Sequence, residues 1–402
     1  MVARVVSRRA LILVTGLFFL WGVANNLNDV LIAHFRHVFT LSDFQSGLIQ
    51  SAFYLGYFCF AIPAALTMTR FGYKAGVVTG LGLFATGALL FWPAALALSY
   101  PMFLFALFVL ASGLAFLETA ANPMVATLGP PEDAERRLNF AQSFNPLGAI
   151  TGVALGASLI LPATAGEGPE TVRNVLLPYS LIAGVVLLWA ILLARTPFPP
   201  VATEERSAHP LSDFGALLRK PRYLAGVCAQ FAYVGAQVGV WSYLIRYIGV
   251  ALPDLGQRNA AWLLTFSLVL FMLGRFTGTA LLARVRGARL MLLFAAIDTV
   301  LCLIGALIGG GIGVAALVAT SFCMSIMFPT IFVLALRGLG PLTKSASAML
   351  VMAIIGGAAF TALMGWISDS SHSIATAMLV PAGCFAVVGL FSMLHLRDRP
   401  AG

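Results

Sequence analysis

The feature that most constrains this chain is a repeated one. Twelve apolar stretches of 18 residues or more follow one another with only short polar breaks. They cover residues 10–35, 45–67, 75–97, 101–128, 138–161 and 175–194, then 223–247, 259–283, 290–307, 312–336, 345–367 and 374–396. Stretches of that length match the hydrocarbon thickness of a bilayer when helical. Strands of a membrane barrel would alternate polar and apolar residues, and these do not. The charged content is only 10%, whereas a soluble domain carries roughly a quarter. The sequence therefore predicts an all-α membrane protein. The first stretch follows Arg4, Arg8 and Arg9. It is too long for the apolar region of a cleavable signal, so we read it as the first membrane helix.

The net charge of +9 could suggest a nucleic-acid partner, but its distribution points elsewhere. Nineteen of the 24 Lys and Arg residues fall on one side if the N-terminus is cytoplasmic. Arg36, Arg173, Arg246 and Arg258 fall on the other, and Arg275 lies within a stretch. This bias orients membrane proteins and predicts both termini inside the cell. The longest polar segment, "RTPFPPVATEERSAHPLSDFGALLRKPR", divides the twelve stretches six and six. The expected organisation is an amino-terminal six-helix bundle over 1–196, a cytoplasmic linker over 197–220 and a carboxy-terminal six-helix bundle over 221–402. The halves echo each other. "TRFGYKAGVV" and "ARVRGARLML" are both short basic hairpins with a central glycine, and "NPMVATLG" corresponds to "FPTIFVLALRGLG". Parallel half-repeats of this kind are what a major facilitator transporter would show.

Few polar residues interrupt the stretches, and those that do are informative. Asp29, Glu118 and Asp298 are the only acids well inside them. A carboxylate near the bilayer centre costs about 3 kcal/mol on insertion scales. It must meet a wet cavity, a partner or a proton. In "LWGVANNLNDVL", Trp21, Asn25 and Asn28 or Asp29 share one helical stripe, and Asn26 borders Asp29. Amides beside a carboxylate and an aromatic ring suit a polyhydroxylated ligand, because hydroxyls need donors and acceptors together. Glu118 in "LETAANP" has Asn122 on the same face. Gln142 and Asn145 in "NFAQSFNPLG" are three apart and are expected to share a face. In "AQFAYVGAQVGVWSYLIRY", Gln230, Tyr233, Gln237 and Trp241 form a further stripe. Arg275 in "GRFTGT" can pair with an acid, donate to a ligand or make a structural pairing near the cytoplasmic end. Asp298 has no polar stripe around it, and a satisfied or lipid-peripheral role is expected. A carboxylic acid that sheds its charge in lipid is a natural proton carrier. Titratable acids in one half, with amides and aromatics in the other, suit a proton-coupled carrier of a neutral sugar.

Several stretches also resemble a known family: "WGVANNLNDVL", "FGYKAGVVTGLGLFATGALLFWPAA", "LETAANPMVATLGP", "RLNFAQSFNPLGAI", "AQFAYVGAQVGVWSYLIRY", "GRFTGT" and "VMAIIGG". From about Phe19 to Ala386 the chain is similar to the bacterial L-fucose:proton symporter family of the major facilitator superfamily. That resemblance implies twelve transmembrane helices in two pseudo-symmetric six-helix bundles. It also implies import of L-fucose by alternating access across the bacterial inner membrane. Asp29 and Glu118 match the family's essential carboxylates. Glu118 would bind the sugar and titrate, and Asp29 would take the coupling proton. Gln142 and Asn145 match sugar-contacting amides. Asn26, Trp21, Trp241 and Arg275 match other cavity residues, with Gln237 on the same stripe as Trp241. Phe328 stands where the family has a tyrosine, which removes a hydroxyl from the cavity. Pro146 stands where serine is commoner, and the loop "PATAGEGPETVRN" is short.

The implied partners are a monosaccharide, protons and the bilayer, with no nucleic acid, cofactor or metal, and a monomeric state is expected. An uncoupled facilitator would need no buried acids. An enzyme would need a nucleophile–base set or a metal cluster. The five histidines lie in loops or at the ends of stretches, the five cysteines read as core-filling residues, and no phosphate-binding loop is present.

Overall fold

The computed structural model of the protein describes residues 12–24, 27, 43–127, 130–159, 175–197 and 210–396, and every element among them is helical. In chain order the helices are α1 (Ile12–Ala24), α2 (Asp43–Phe71), α3 (Tyr73–Leu89), α4 (Phe91–Leu96), α5 (Tyr100–Thr127), α6 (Ala134–Gln142), α7 (Phe144–Leu159), α8 (Leu176–Arg195) and α9 (Pro210–Leu217). They continue with α10 (Pro221–Ala251), α11 (Gly256–Leu281), α12 (Gly287–Leu307), α13 (Gly310–Met324), α14 (Met327–Leu336), α15 (Thr343–Met352), α16 (Gly356–Ser371), α17 (Ile374–Ala377) and α18 (Leu379–Leu394). Ten helical segments among the described residues are long and apolar enough to cross a membrane, and α1 is a shorter apolar helix. The stretch expected over 138–161 is not one helix. A turn at Ser143 divides it into α6 and α7.

Two compact units form. One gathers the described residues of 1–129, 144–213 and 340–352, and the other those of 130–143, 214–339 and 353–402. In the first unit α5 packs on α2 and α3, and α15 packs on α2 and α5. Helix α8 shows how such a unit is solvated. Pro178, Tyr179, Ile182, Ala183 and Val186 are buried, while Leu177, Leu181, Val185, Leu188 and Leu192 are exposed. Both faces are apolar, so the exposed stripe needs lipid, not water. Hydroxyls in these helices turn back on their own carbonyls. Thr119 donates to Ala115 at 2.6 Å, Thr69 to Ala65 at 2.8 Å and Thr67 to Pro63 at 2.8 Å. In hydrocarbon no water would otherwise meet them. The Lys74 ammonium caps α8 by donating to the carbonyls of Ala194 (2.8 Å) and Thr196 (3.0 Å), which favours the negative end of that helix.

Small residues let α1 and α7 approach backbone to backbone. A Cβ at Gly22 would collide with the Asn145 carbonyl, and one at Gly148 with the Phe19 carbonyl. This is the close packing that membrane helices use in place of a hydrophobic drive. On the same helix α1, the Leu13 carbonyl accepts from the Trp189 indole at 2.9 Å, and Gly16 makes room for that ring.

In the second unit α10 packs on α14, α16 and α18, and α12 on α13 and α18. The two glycine hairpins that look equivalent in sequence use glycine for different reasons. Gly72 has φ of 85° and turns the chain between α2 and α3, a conformation that suits glycine. Gly287 starts α12, and its N–H donates to a carboxylate oxygen of Glu135 at 3.1 Å. A Cβ there would strike that carboxylate. Glu135 also pairs with Arg337, at the end of α14. The acid thus meets an unsatisfied N–H and the positive end of a helix dipole. Burial pushes the Glu135 carboxyl up, and Arg337 and the Gly287 N–H draw it partly back. The cysteines divide: Cys302, Cys323 and Cys384 are buried, whereas Cys59 and Cys228 are exposed and do not fill the core.

Two measurements check this packing. Gly148→Ala should destabilise the protein by about 1–3 kcal/mol. Gly184→Ala should not, since nothing lies within 4 Å of its added Cβ. Thermal unfolding in detergent compares the two, and equal melting temperatures would count against the α1–α7 contact. Arg337→Ala removes a charge that holds the Glu135 carboxyl down, so that carboxyl rises further. An acid with a raised folded-state pKa costs stability while ionised, and the cost fades as pH falls through that value. The expected loss is about 1–2 kcal/mol at pH 8, less than for a fully enclosed pair because water reaches Arg337. It should shrink at pH 5, and a loss that grows on acidification would reverse the assignment.

Candidate functional site

In the first unit a polar group gathers around Glu118. The apolar length of α5 places this acid mid-helix with only 2% of its surface exposed. Among the described residues neither carboxyl oxygen makes a hydrogen bond of full geometry. The Asn122 amide, one turn along the same face, is the polar group beside it. The Tyr57 hydroxyl of α2 lies within electrostatic range of Glu118 and accepts from the Trp21 indole of α1 at 2.7 Å. Asn145, at the start of α7, donates to the Phe18 carbonyl at 3.3 Å, one turn before Trp21. Trp21 and Asn145 are both half-buried. A phenol hydroxyl, an indole, two amides and an acid therefore line one set of helices. Asp29 and Asn26, the other two residues expected here, lie outside the described residues.

The second unit holds the remaining candidates. Gln142, the last residue of α6, is buried, and its side-chain oxygen accepts from the Arg275 guanidinium of α11 at 3.1 Å. Its backbone carbonyl accepts from the same guanidinium nitrogen at 3.4 Å. Arg275 lies over the Phe271 ring, 4.9 Å from its centre, and Phe271 meets Trp241 edge-on at 5.1 Å. The Trp241 indole donates to the Ser321 hydroxyl at 3.0 Å, and Ser321 is hydrogen-bonded to Ser267. On α10 the Tyr233 hydroxyl donates to the Met324 carbonyl at 3.0 Å. Phe328 is buried edge-on to Tyr233, with ring centres 6.3 Å apart. Gln237 is half-buried on α10. Both polar side-chain atoms of buried Gln230 lack hydrogen bonds among the described residues.

The arrangement refines the sequence expectation at Gln142 and Arg275 and overturns it at Asp298. Gln142 ends α6 and Asn145 lies at the start of α7, on either side of the turn at Ser143, and the two side chains have different partners. Arg275 is paired with an amide and an aromatic ring, and makes no ion pair with an acid among the described residues. Asp298 is neither satisfied nor peripheral. It is 0% exposed, neither oxygen is hydrogen-bonded among the described residues, and Tyr233, Cys302 and Cys323 lie within its electrostatic range. Its lack of a polar stripe in sequence reflects apolar neighbours on the same helix, not an outward position. Sequence does not single out Tyr57, because "AFYLGYFCF" is aromatic throughout and only the contact with Trp21 distinguishes it. Among the described residues no three His, Cys, Asp or Glu side chains gather as a metal site would require.

Comparison with known proteins agrees with this architecture. A Major Facilitator Superfamily profile matches residues 12–361. The L-fucose-proton symporter of Escherichia coli (strain K12) is 46% identical over 400 residues, covering 94% of this chain and 91% of that one. The glucose/galactose transporter of Brucella abortus (biovar 1, strain 9-941) is 37% identical, covering 97% of this chain and 94% of that one. The crystal structure of the superfamily transporter FucP in the outward conformation superposes with a TM-score of 0.90 at 44% identity, covering 97% of this chain and 100% of that one. An all-helical membrane chain with buried acids and amide–aromatic groups among its helices is thus accounted for: it belongs to the Major Facilitator Superfamily, in the branch that holds the L-fucose-proton symporters.

Proposed function

We propose that the protein is a proton-coupled sugar symporter that imports L-fucose across the bacterial inner membrane by alternating access, with both termini cytoplasmic. The observation that carries this reading is Glu118, an acid buried in a membrane-length helix without an ion-pair partner among the described residues. Such a group is expensive in lipid and is kept where it acts. Its neighbours Trp21, Tyr57 and Asn122 are the donors, acceptors and ring faces that a sugar needs. The bodies that rock are the halves 1–196 and 221–402, joined by the linker 197–220, and the working unit is a monomer.

In this proposal Glu118 binds a sugar hydroxyl and exchanges a proton, and Asp29 takes the proton that couples transport. Asn26, Trp21 and Asn145 contact the sugar from the first half, with Gln142 at the end of α6. Gln237, Trp241, Arg275 and Phe328 contribute from the second. The name of the E. coli relative, L-fucose-proton symporter, supports the substrate and the coupling. A second reading, glucose or galactose as cargo, is favoured by the name of the B. abortus relative. Two acids that interact would titrate as a pair, so the proton belongs to both until one is removed.

The test is uptake into proteoliposomes with external pH followed as each sugar is added. L-fucose should make the exterior more alkaline. Asp29→Asn should abolish accumulation against a gradient while exchange of labelled sugar continues. Glu118→Gln should weaken sugar binding about three- to tenfold, the equivalent of one hydrogen bond. Labelled sugar that equilibrates with no pH change would overturn coupling and leave a facilitator. Alkalinisation with D-glucose or D-galactose alone would select the second cargo.

A further inference from the structure

The second unit contains a cavity that the transport reading does not use. It lies between α6 and α11, with a volume of about 550 Å³, and is lined by Asp133, Arg136, Arg137, Phe140, Phe276, Thr279 and Ala280. We propose that this cavity is a binding site for the headgroup of an anionic membrane phospholipid of the phosphatidylglycerol type.

Charge, surface and position lead to this assignment. Two guanidiniums face one carboxylate, which leaves one net positive charge. A lipid with a single phosphodiester charge neutralises it, whereas a zwitterionic headgroup leaves it in place. Asp133 repels a phosphate placed on it but accepts hydrogen bonds from glycerol hydroxyls. Arg137 donates to the Pro130 carbonyl at 3.2 Å, which fixes its orientation. Burial lowers its affinity for its proton, and the charge of Asp133 partly offsets this. Arg136 is exposed and makes no hydrogen bond or ion pair among the described residues.

The rest of the wall is apolar and faces outward. Phe140 is 47% exposed and Phe276 is 40% exposed. Arg136 and Phe140 are one turn apart on α6, and Phe276 and Ala280 are one turn apart on α11, so each helix presents a paired edge. Thr279 and Ala280 are small and leave the space open. Basic groups at the rim with apolar surface beside them fit a lipid, whose phosphate and acyl chains are joined, better than a free phosphate. Basic pockets between membrane helices hold lipid headgroups on this principle. The same two helices carry Gln142 and Arg275, so an occupied cavity would brace the ends of the elements that hold that pair.

Native mass spectrometry of the full chain, with defined lipids added in detergent, tests the proposal. Phosphatidylglycerol should bind in preference to phosphatidylcholine and phosphatidylethanolamine. Arg136→Gln should weaken that binding about fivefold, the effect of one guanidinium near a lipid surface, and should leave thermal stability unchanged. Arg136→Gln with Arg137→Gln should remove the preference. Equal binding of the three lipids, or phosphatidylglycerol binding unchanged in Arg136→Gln, would overturn the site. Displacement of the lipid by millimolar inorganic phosphate would overturn the lipid assignment in favour of a simple anion site.

Discussion

Within a bilayer a polar group has no water to turn to, and every feature of this protein is arranged around that lack. Threonine and serine hydroxyls donate to carbonyls of their own helices. Indole nitrogens reach a tyrosine, a serine or a backbone carbonyl. The Glu135 carboxylate is met by the Gly287 N–H and by Arg337. Against that economy, Glu118, Asp298 and Gln230 stand out as buried polar groups with unmet hydrogen-bonding capacity among the described residues. In soluble proteins such groups are rare. In a membrane carrier, Glu118 is where a hydroxylated ligand and a proton would be worth most, because both supply what the helices withhold.

The helices that present these groups are held by close backbone contacts and deliberate interruptions. Gly22 and Gly148 bring α1 and α7 together, which sets the depth of Trp21 and Asn145. A turn at Ser143 interrupts a single apolar stretch, and a turn between α13 and α14 does the same. Pro146 has no N–H to return to the Gln142 carbonyl four residues back, and that carbonyl accepts from Arg275 instead.

Much of this is legible in the sequence for physical reasons. Membrane helices announce themselves by length and hydropathy, and buried acids by their expense, so the position of Glu118 in an apolar run is enough to mark it. What sequence does not carry is contact across the chain. The Arg275–Gln142 bond spans 133 residues, and nothing in "GRFTGT" names its partner. Glu135 sits in the charged run "EDAERR" and reads as a solvated loop residue, yet Gly287 and Arg337 bury it from 152 and 202 residues away. Gly72 and Gly287 look alike in their hairpins because the alphabet records only the missing side chain, not whether backbone angle or a neighbour's carboxylate requires it. Asp298 misleads in the opposite direction. Its helix neighbours are apolar, but α13 and α18 pack over α12 and turn an apparently peripheral position into an interior one.

The central claim is that sugar binding and protonation meet at Glu118. Calorimetric titration of the purified protein with L-fucose, repeated in buffers of different ionisation enthalpy, tests it most directly, since the buffer dependence of the heat counts protons taken up on binding. The account predicts proton uptake with L-fucose whose pH dependence shifts in Glu118→Gln, even at sugar concentrations that saturate the variant. Binding with no buffer dependence in the unaltered protein, or uptake with the same size and pH dependence in Glu118→Gln, would contradict it.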